Sequence, residues 1–443
     1  MTSRASTQNK RGDVIAISLG TALFVWIAGS LLPALRMAEN WVSDLTRATL
    51  APAPPFSPNI ALVTITEETL ATFPYRSPVN RNMLAEAVDK IAQSGAKGLA
   101  FDILFDQPTE AAADERLYIA LRRAAQRMPV VVAFAGDGDN LTAAQAEFLA
   151  AFTDGLDLGV VNLPADPDDG VVRWFFQGKD VPGIGVLPGL PAALAGRARG
   201  TFAPMQAGTE PLAYARGLTE VPSYPLHTIS LLPPAWLKDK FLLVGSDLPH
   251  SDLHRTPLPA MLGQRNGLIP GVAIHAHALN QSLSGIRLHE TPPWMVAPIG
   301  LLLALLSAIA FGLKIGMVKR AGLGVGILGG YAGLVSLLAA QGVLLPLVSP
   351  LLAVVVASAV KGGREWRKEQ RQSLFVQDAF SRYLSPAVVR LLMQDPARLK
   401  LGGEQREITF VFTDLAGFTS ISEKLPPETM AEILNGYLER MCR

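Results

Sequence analysis

A single cysteine, Cys442, stands in 443 residues, so no intrachain disulfide can form and the thiols do not reveal a redox compartment. Charge is scarce. Asp, Glu, Lys and Arg make up 17% of the chain, below the quarter or so usual in soluble domains, so part of the chain avoids water. What charge there is nearly cancels, with 39 Lys plus Arg against 38 Asp plus Glu. No global field favours nucleic acid or an acidic partner. Histidine is absent after His289, which removes the phospho-accepting side chain that a sensor histidine kinase needs on its transmitter helix. The long apolar runs hold no acidic, basic or His residue in their interiors, which disfavours a transporter.

Apolar residues are abundant, at 49%. Residues 14–35 contain no charged side chain, and 22 residues at about 1.5 Å each cover the roughly 30 Å hydrocarbon layer. A cleaved signal peptide is the rival reading, but its apolar region is normally about 7–15 residues; the run reads as an uncleaved anchor behind a tail, 1–13. Residues 294–313 form a second uncharged run, opened by Trp294 and closed by Lys314. The uncharged stretch between Arg320 and Lys361 is too long for one helix, and "AAQG" divides it into spans at 321–340 and 342–360. Four spans put every short basic cluster on one side: Arg4, Lys10 and Arg11; Lys314, Lys319 and Arg320; and Lys361, Arg364, Arg367, Lys368 and Arg371. The positive-inside rule makes that side the cytoplasm, with both termini there and residues 36–292 in the periplasm or outside the cell, as in a bacterial inner-membrane protein. Gly322, Gly326 and Gly330 line one helix face, suited either to packing on the chain's own spans or to a second copy.

The outer segment alternates. After the proline-rich spacer "APAPPFSP" come a strand run "IALVTI", a helix "NRNMLAEAVDKIAQSGA", a strand "KGLAFDILF", a helix around 116–127 and a strand "VVVAFAG". That order predicts an α/β domain with parallel pairing. "LGVVNLP", "GVVRWFF" beyond the turn "DPDDG", the strand "KFLLVGS" and a closing helix in "PGVAIHAHALNQSLSG" follow. The segments "ALVTITEETLATF", "GAKGLAFDILFDQP", "GVVNLPADPDDGVVR", "FLLVGSDLPHSDLHRTPL" and "PGVAIHAHAL", in this order, resemble the second subtype of the CHASE family of extracytoplasmic sensory domains. The resemblance implies a sensor of an extracytoplasmic signal and supplies no ligand.

Ligands in open α/β sheets commonly bind at strand ends. Asp102, Asp106, Ser246, Asp247 and Arg255 are therefore candidates for the rim of a sensor pocket, although each also suits a loop cap or turn. His250 and His254 would share a face only if "PHSDLHRTP" were helical, and its prolines argue against that. His275 and His277, two apart at a helix start, point in different directions, so a metal site is disfavoured.

Residues 361–400 read as a charged, helix-favouring transmitter, with Ser385 and Pro386 suited to start a fresh helix. In 401–443, "ITFVF" is an apolar strand run that delivers Thr413 and Asp414 to a tight turn, "LAGFTS", and a helix. A carboxylate there can hold a divalent cation, and the N–H groups of the turn can cradle phosphate; an Asp before a helix can equally be a cap. "GGEQREITFVFTDLAGFTSISEKLPPE", with "FSRYLSPAVVRLL" upstream, closely resembles the opening of class III nucleotide cyclase domains, whose fold is α+β and ferredoxin-like. The resemblance implies that Asp414 is one of two metal carboxylates and that Leu415 offers its carbonyl to a metal. It further implies that Gly417, Phe418 and Thr419 line a triphosphate. With it come two Mg²⁺ or Mn²⁺ ions, ATP as substrate, attack of the ribose 3′-oxygen on the α-phosphorus with pyrophosphate leaving, and a homodimer. The family's second metal carboxylate and transition-state residues lie further along, so these residues read as the front part of a longer enzyme, with no complete catalytic set of their own. The expected whole is an α/β sensor, four membrane helices, and the first strand and helix of a cyclase domain. The alternative is a receptor of the same layout that makes no product.

Overall fold

The computed structural model describes residues 2–135, 141–200, 206–214, 221–257, 268–381, 407, 409–412 and 414–441. These fall into two compact units, residues 1–369 and 370–443.

The sensor part of the first unit is a six-stranded parallel sheet. Its strands are β1 (Ile60–Ile65), β2 (Gly98–Asp102), β3 (Val130–Phe134), β4 (Asp157–Val160), β8 (Ser223–Pro225) and β9 (Phe241–Ser246), in the order β4-β3-β2-β9-β1-β8. The chain leaves β1, skips a strand width to β2, steps outward to β4, returns to the far edge as β8, and fills the gap with β9. Helices cover both faces, which is why β1 is buried along its whole length and reads as an unbroken apolar run rather than an alternating one. Ala61, Val63 and Ile65 face the layer built from α4 (Arg81–Gln93) and α5 (Ala111–Ala125). Ile60 and Leu62 face α7 (Leu190–Arg199) and α9 (Gly271–Ser284). Asn80 caps α4, its Oδ1 accepting the Met83 N–H at 3.0 Å. The short helices α3 (Glu67–Ala71), α6 (Ala143–Phe152) and α8 (Pro234–Leu237) fill the connections. A smaller antiparallel sheet, β5 (Trp174–Val181), β6 (Gly185–Pro188) and β7 (Gly208–Pro211), follows the "DPDDG" turn. Through Phe175 and Leu212, this part of the chain packs against Ile274 and Ala278 of α9. Strands β10 (Leu253–Arg255) and β11 (Leu268–Pro270) pair just before α9.

The first helix, α1 (Thr2–Leu31), ends at the extended Leu32, and Pro33 opens α2 (Pro33–Thr49). Three further helices are α10 (Val296–Gly312), α11 (Met317–Ala339) and α12 (Val348–Ser381). Small residues let them approach closely: Ala304 of α10 and Ala353 and Ala357 of α12 cluster with Val25 of α1. Among the described residues three segments, Gly12–Leu31, Pro293–Gly312 and Met317–Ala339, are long and apolar enough to cross a membrane.

The fourth expected span, 342–360, is not one helix. Gly342 turns the chain with φ +85°, and β13 (Val343–Leu344) pairs with β12 (His289–Glu290). Helix starts only at Val348, where Glu39 of α2 accepts the N–H groups of Leu347, Val348 and Ser349 at 2.6, 3.2 and 2.9 Å. Thirteen apolar or small residues then precede Lys361, about 20 Å of helix against a hydrocarbon layer of roughly 30 Å. Lys361 and Arg364 both bind Asp13 of α1, each at 2.6 Å, which brings the Lys361 region of α12 to the start of the α1 apolar run. The glycine face also departs from packing on its own neighbours. A Cβ at Gly322, Gly326 or Gly330 would meet nothing within 4 Å among the described residues, whereas one at Gly324 would lie against Phe311.

In the second unit, α13 (Phe418–Ser422) and α14 (Pro427–Met441) form, but the expected strand does not. Residues 409–412 lie in no strand, and Phe410, Val411 and Phe412 are 71%, 81% and 92% exposed. A strand exists only through ladder partners, and none pairs with this run among the described residues. Thr413, Ser385 and Pro386 lie outside the described residues, as does 382–400 of the transmitter, whose earlier part continues α12 to Ser381.

Candidate functional site

The C-terminal ends of β2 and β9 adjoin, Asp102 standing opposite Gly245, and they carry a polar cluster. Oδ2 of Asp102 is buried and has no hydrogen-bond partner among the described residues. Its Oδ1 lies 3.7 Å from Nε2 of His275, on the first turn of α9. That Nε2–H donates to the Val161 carbonyl at 3.1 Å, leaving Nδ1 as a buried acceptor without a partner among the described residues. Asp252, held at φ +53°, gathers the rest. Its carboxylate accepts from Ser246 Oγ at 3.2 Å and pairs with His254 Nε2 at 2.9 Å, while its carbonyl accepts the Gly271 N–H at 3.0 Å. Gly245 is dictated by close packing, since a Cβ there would lie 2.6 Å from Val272 of α9.

Burial, with the Asp252 charge adding to it, holds the Asp102 carboxyl well above the usual carboxylate range. Burial pushes His275 down to about 4, against the bond to Val161. His277, set between Phe56 and Tyr214, is also pushed to about 4 by burial. Burial therefore disfavours the charged form of both the carboxyl and the imidazole, leaving a pair suited to recognise a small polar group.

The strand ends thus bring Asp102 and Ser246 together but not the whole expected rim. Asp106 accepts from Gln145 Nε2 at 2.6 Å, at the start of α6. Asp247 donates its N–H to Ile65 at the end of β1. Arg255 is exposed at the end of β10, and its carbonyl accepts the Val172 N–H. The sequence reading missed Asp252, His254 and His275 as one group, because they meet only when β10 and α9 fold onto the strand ends. Among the described residues no group of three or more His, Cys, Asp or Glu is arranged to hold a metal ion, and His254 lies in a strand.

A second polar centre, also unforeseen, joins the domain to its membrane connectors. Arg173 is buried and makes paired bonds to Asp44 of α2 (2.8 and 2.7 Å) and to Asp169 (2.9 and 2.7 Å), with Asp166 at 3.3 Å. Burial disfavours its charge, but the hydrogen bonds it donates to Asp44 and Asp169 outweigh that and raise its pKa. Arg36, five residues after α1 ends, forms a forked pair with Asp168 at 2.6 and 2.7 Å, which lowers the Asp168 pKa. Arg47 donates to the Arg173 carbonyl at 2.9 Å and pairs with Glu290, which also accepts from Trp174 Nε1 at 2.7 Å. One hairpin is thereby bolted both to the helix leaving α1 and to the strand entering α10. The available signal was the amphipathic run of 33–49, whose Arg36, Asp44 and Arg47 recur on one helical face.

In the second unit Asp414 is exposed and its Oδ1 accepts the N–H of Leu415 at 2.9 Å, so it does not cap α13. The Leu415 carbonyl accepts the Phe418 N–H at 3.1 Å, and Gly417 has φ +75°. Thr419 belongs to α13, its carbonyl accepting from Ser422 Oγ at 2.9 Å. A carboxylate and a carbonyl are the oxygen donors that Mg²⁺ or Mn²⁺ prefers, but one carboxylate is an incomplete set.

No curated protein and no solved structure matches the chain. A family model, the CHASE2 domain, matches residues 21–317, reaching from within α1 across the whole α/β domain and through α10. The match covers more than half the chain, takes in both membrane connectors together with the sheet between them, and places this protein in the CHASE2 family of sensor domains.

Proposed function

We propose that this protein is a membrane receptor whose α/β domain reads a signal outside the cytoplasm and whose output is a class III nucleotide cyclase, converting ATP to cyclic AMP and pyrophosphate. The observation that carries the receptor reading is the bolted junction. A sensor must transmit, and here the Arg173–Asp44, Arg36–Asp168 and Arg47–Glu290 contacts make the domain continuous with two of its membrane connectors. The signal site is the strand-end cluster around Asp102 and His275, whose unmatched Oδ2 and Nδ1 call for a ligand or a proton.

Orientation follows from the basic clusters together with Asp13, which ties the start of α1 to Lys361 and Arg364. In this reading α12 is a fourth, short crossing, with Lys361 snorkelling at its inner end. The cyclase output rests on the resemblance of "FTDLAGFTS", and so do the homodimer and the roles of Asp414, Leu415, Gly417, Phe418 and Thr419. The second reading, a receptor without its own catalysis, is favoured by the 410–412 run, which is exposed and lies in no strand among the described residues. Cyclic AMP formation from ATP with Mg²⁺ or Mn²⁺, assayed on the membrane-embedded natural protein, separates them. Asp414→Asn should lower turnover by orders of magnitude while sparing the fold, because it removes charge but little shape. Undiminished turnover would remove Asp414 from the site, and absence of turnover in the natural protein would favour the second reading.

A further inference from the structure

A cavity of about 450 Å³ lies where the sensor domain meets the membrane helices. That volume is in the range of small-molecule pockets, roughly 300–1,000 Å³. Its floor is apolar and belongs to the helices, with Val25, Trp26 and Gly29 in the last turns of α1 and Val296 at the start of α10. Its roof is charged and belongs to α2, the hairpin and β12. The roof sets three guanidinium groups, Arg36, Arg47 and Arg173, against four carboxylates, Glu39, Asp166, Asp168 and Glu290.

An apolar floor would reject a wholly polar solute, and a charged roof would reject a bare hydrocarbon. An amphiphile lying at the bilayer surface satisfies both. The signs narrow its headgroup. With carboxylates one in excess, an anionic headgroup faces net repulsion. Arg47, 6% exposed and a lining residue, still has an Nε–H with no hydrogen-bond partner among the described residues, which calls for an acceptor oxygen. A headgroup carrying both a phosphate and an ammonium answers both demands.

We propose that this cavity binds one phospholipid with an aminoethyl-phosphate headgroup, its phosphate toward Arg47, its ammonium among the carboxylates, and its chains passing over Val25 and Trp26 into the bilayer. The lipid bridges the hairpin and the helices, so its occupancy stiffens the same junction that transmits the signal. This rests on the chain being a membrane protein and is independent of its catalytic output.

The test is quantitative lipid analysis of the full chain, reconstituted in bilayers of mixed phosphatidylethanolamine and phosphatidylglycerol and then washed extensively in lipid-free detergent. About one phosphatidylethanolamine per chain should remain, in clear excess over phosphatidylglycerol. Gly29→Phe should retain at least tenfold less, because Gly29 lines the cavity and a Cβ there meets nothing within 4 Å, so the ring can take up the cavity's space. Ser43→Phe fills the cavity from α2 and should do the same, which covers the case in which one variant misfolds by circular dichroism. Leu19→Phe, on an exposed part of α1, should retain the lipid as the parent does. Equal retention in the filled and parent proteins, parity of the two lipids, or no retained lipid would each overturn the proposal.

Discussion

Arg173 is the residue on which the junction depends, because its charge is buried and its partners come from both α2 and the 166–169 turn. Removing one partner of a buried pair costs about 3–5 kcal/mol where the other charge is left alone, an upper bound here because Asp166 and Asp169 stay on Arg173. Asp44→Asn should therefore lower the melting temperature of the detergent-solubilised protein markedly, and far more than loss of the exposed Arg76–Glu67 pair, where about 0–1 kcal/mol is at stake. Equal small shifts from both would show that the junction is not load-carrying. The buried histidines set a pH response. His277 is held at about 4 against 6.5 for an unperturbed imidazole, so on acidification the unfolded chain takes up its proton first. Its contribution to stability is intact above about pH 6.5 and is lost between there and about pH 4, on the order of 3 kcal/mol. His275 acts in the same window and direction. Asp102 runs the other way, since its raised pKa yields stability that is lost as pH rises through its folded value. Thermal unfolding across that window should show His277→Phe less sensitive to acid than the parent; an unchanged pH slope would contradict burial of the neutral form.

At the scale of elements, the parallel strands were legible because each is a short apolar run between turn formers, and β1, β2, β3 and β9 all form where such runs stand. Their order was not, since the insertion of β9 between β2 and β1 is a long-range choice that no local pattern encodes. The strand-end site was half legible for the same reason: Asp102 and Ser246 end their strands, whereas Asp252, His254 and His275 join them only through tertiary folding. Helix α2 passed unnoticed beside the stronger apolar run of α1, and the onset of α12 was misplaced by six residues because β13 is as apolar as a membrane helix. The open glycine face of α11 gives this scale its prediction. A Cβ at Gly326 meets nothing within 4 Å among the described residues, so Gly326→Ile should leave folding and membrane insertion unchanged while crosslinking between copies falls. Unaltered crosslinking would show that this face meets only lipid.

For the whole molecule, the central claim is that the α/β domain lies on one side of the membrane and the basic loops on the other. Asp13, Lys361 and Arg364 join at one end of the bundle, while Glu39 and the N–H groups of 347–349 join at the other, next to the sensor domain. An even number of crossings follows if α12 is counted with the three longer segments, and an odd number if it is not. The domain would then share a side with the C-terminal part of the chain. The side that the sensor domain occupies is accessible to labelling with a membrane-impermeant thiol reagent in intact cells, after Cys442→Ser removes the native thiol. Leu231→Cys reports on the sensor domain, where that side chain is 82% exposed, and Lys314→Cys reports on the loop between α10 and α11. Leu231→Cys should be labelled and Lys314→Cys protected until the cells are permeabilised; protection of the first with labelling of the second would contradict this orientation.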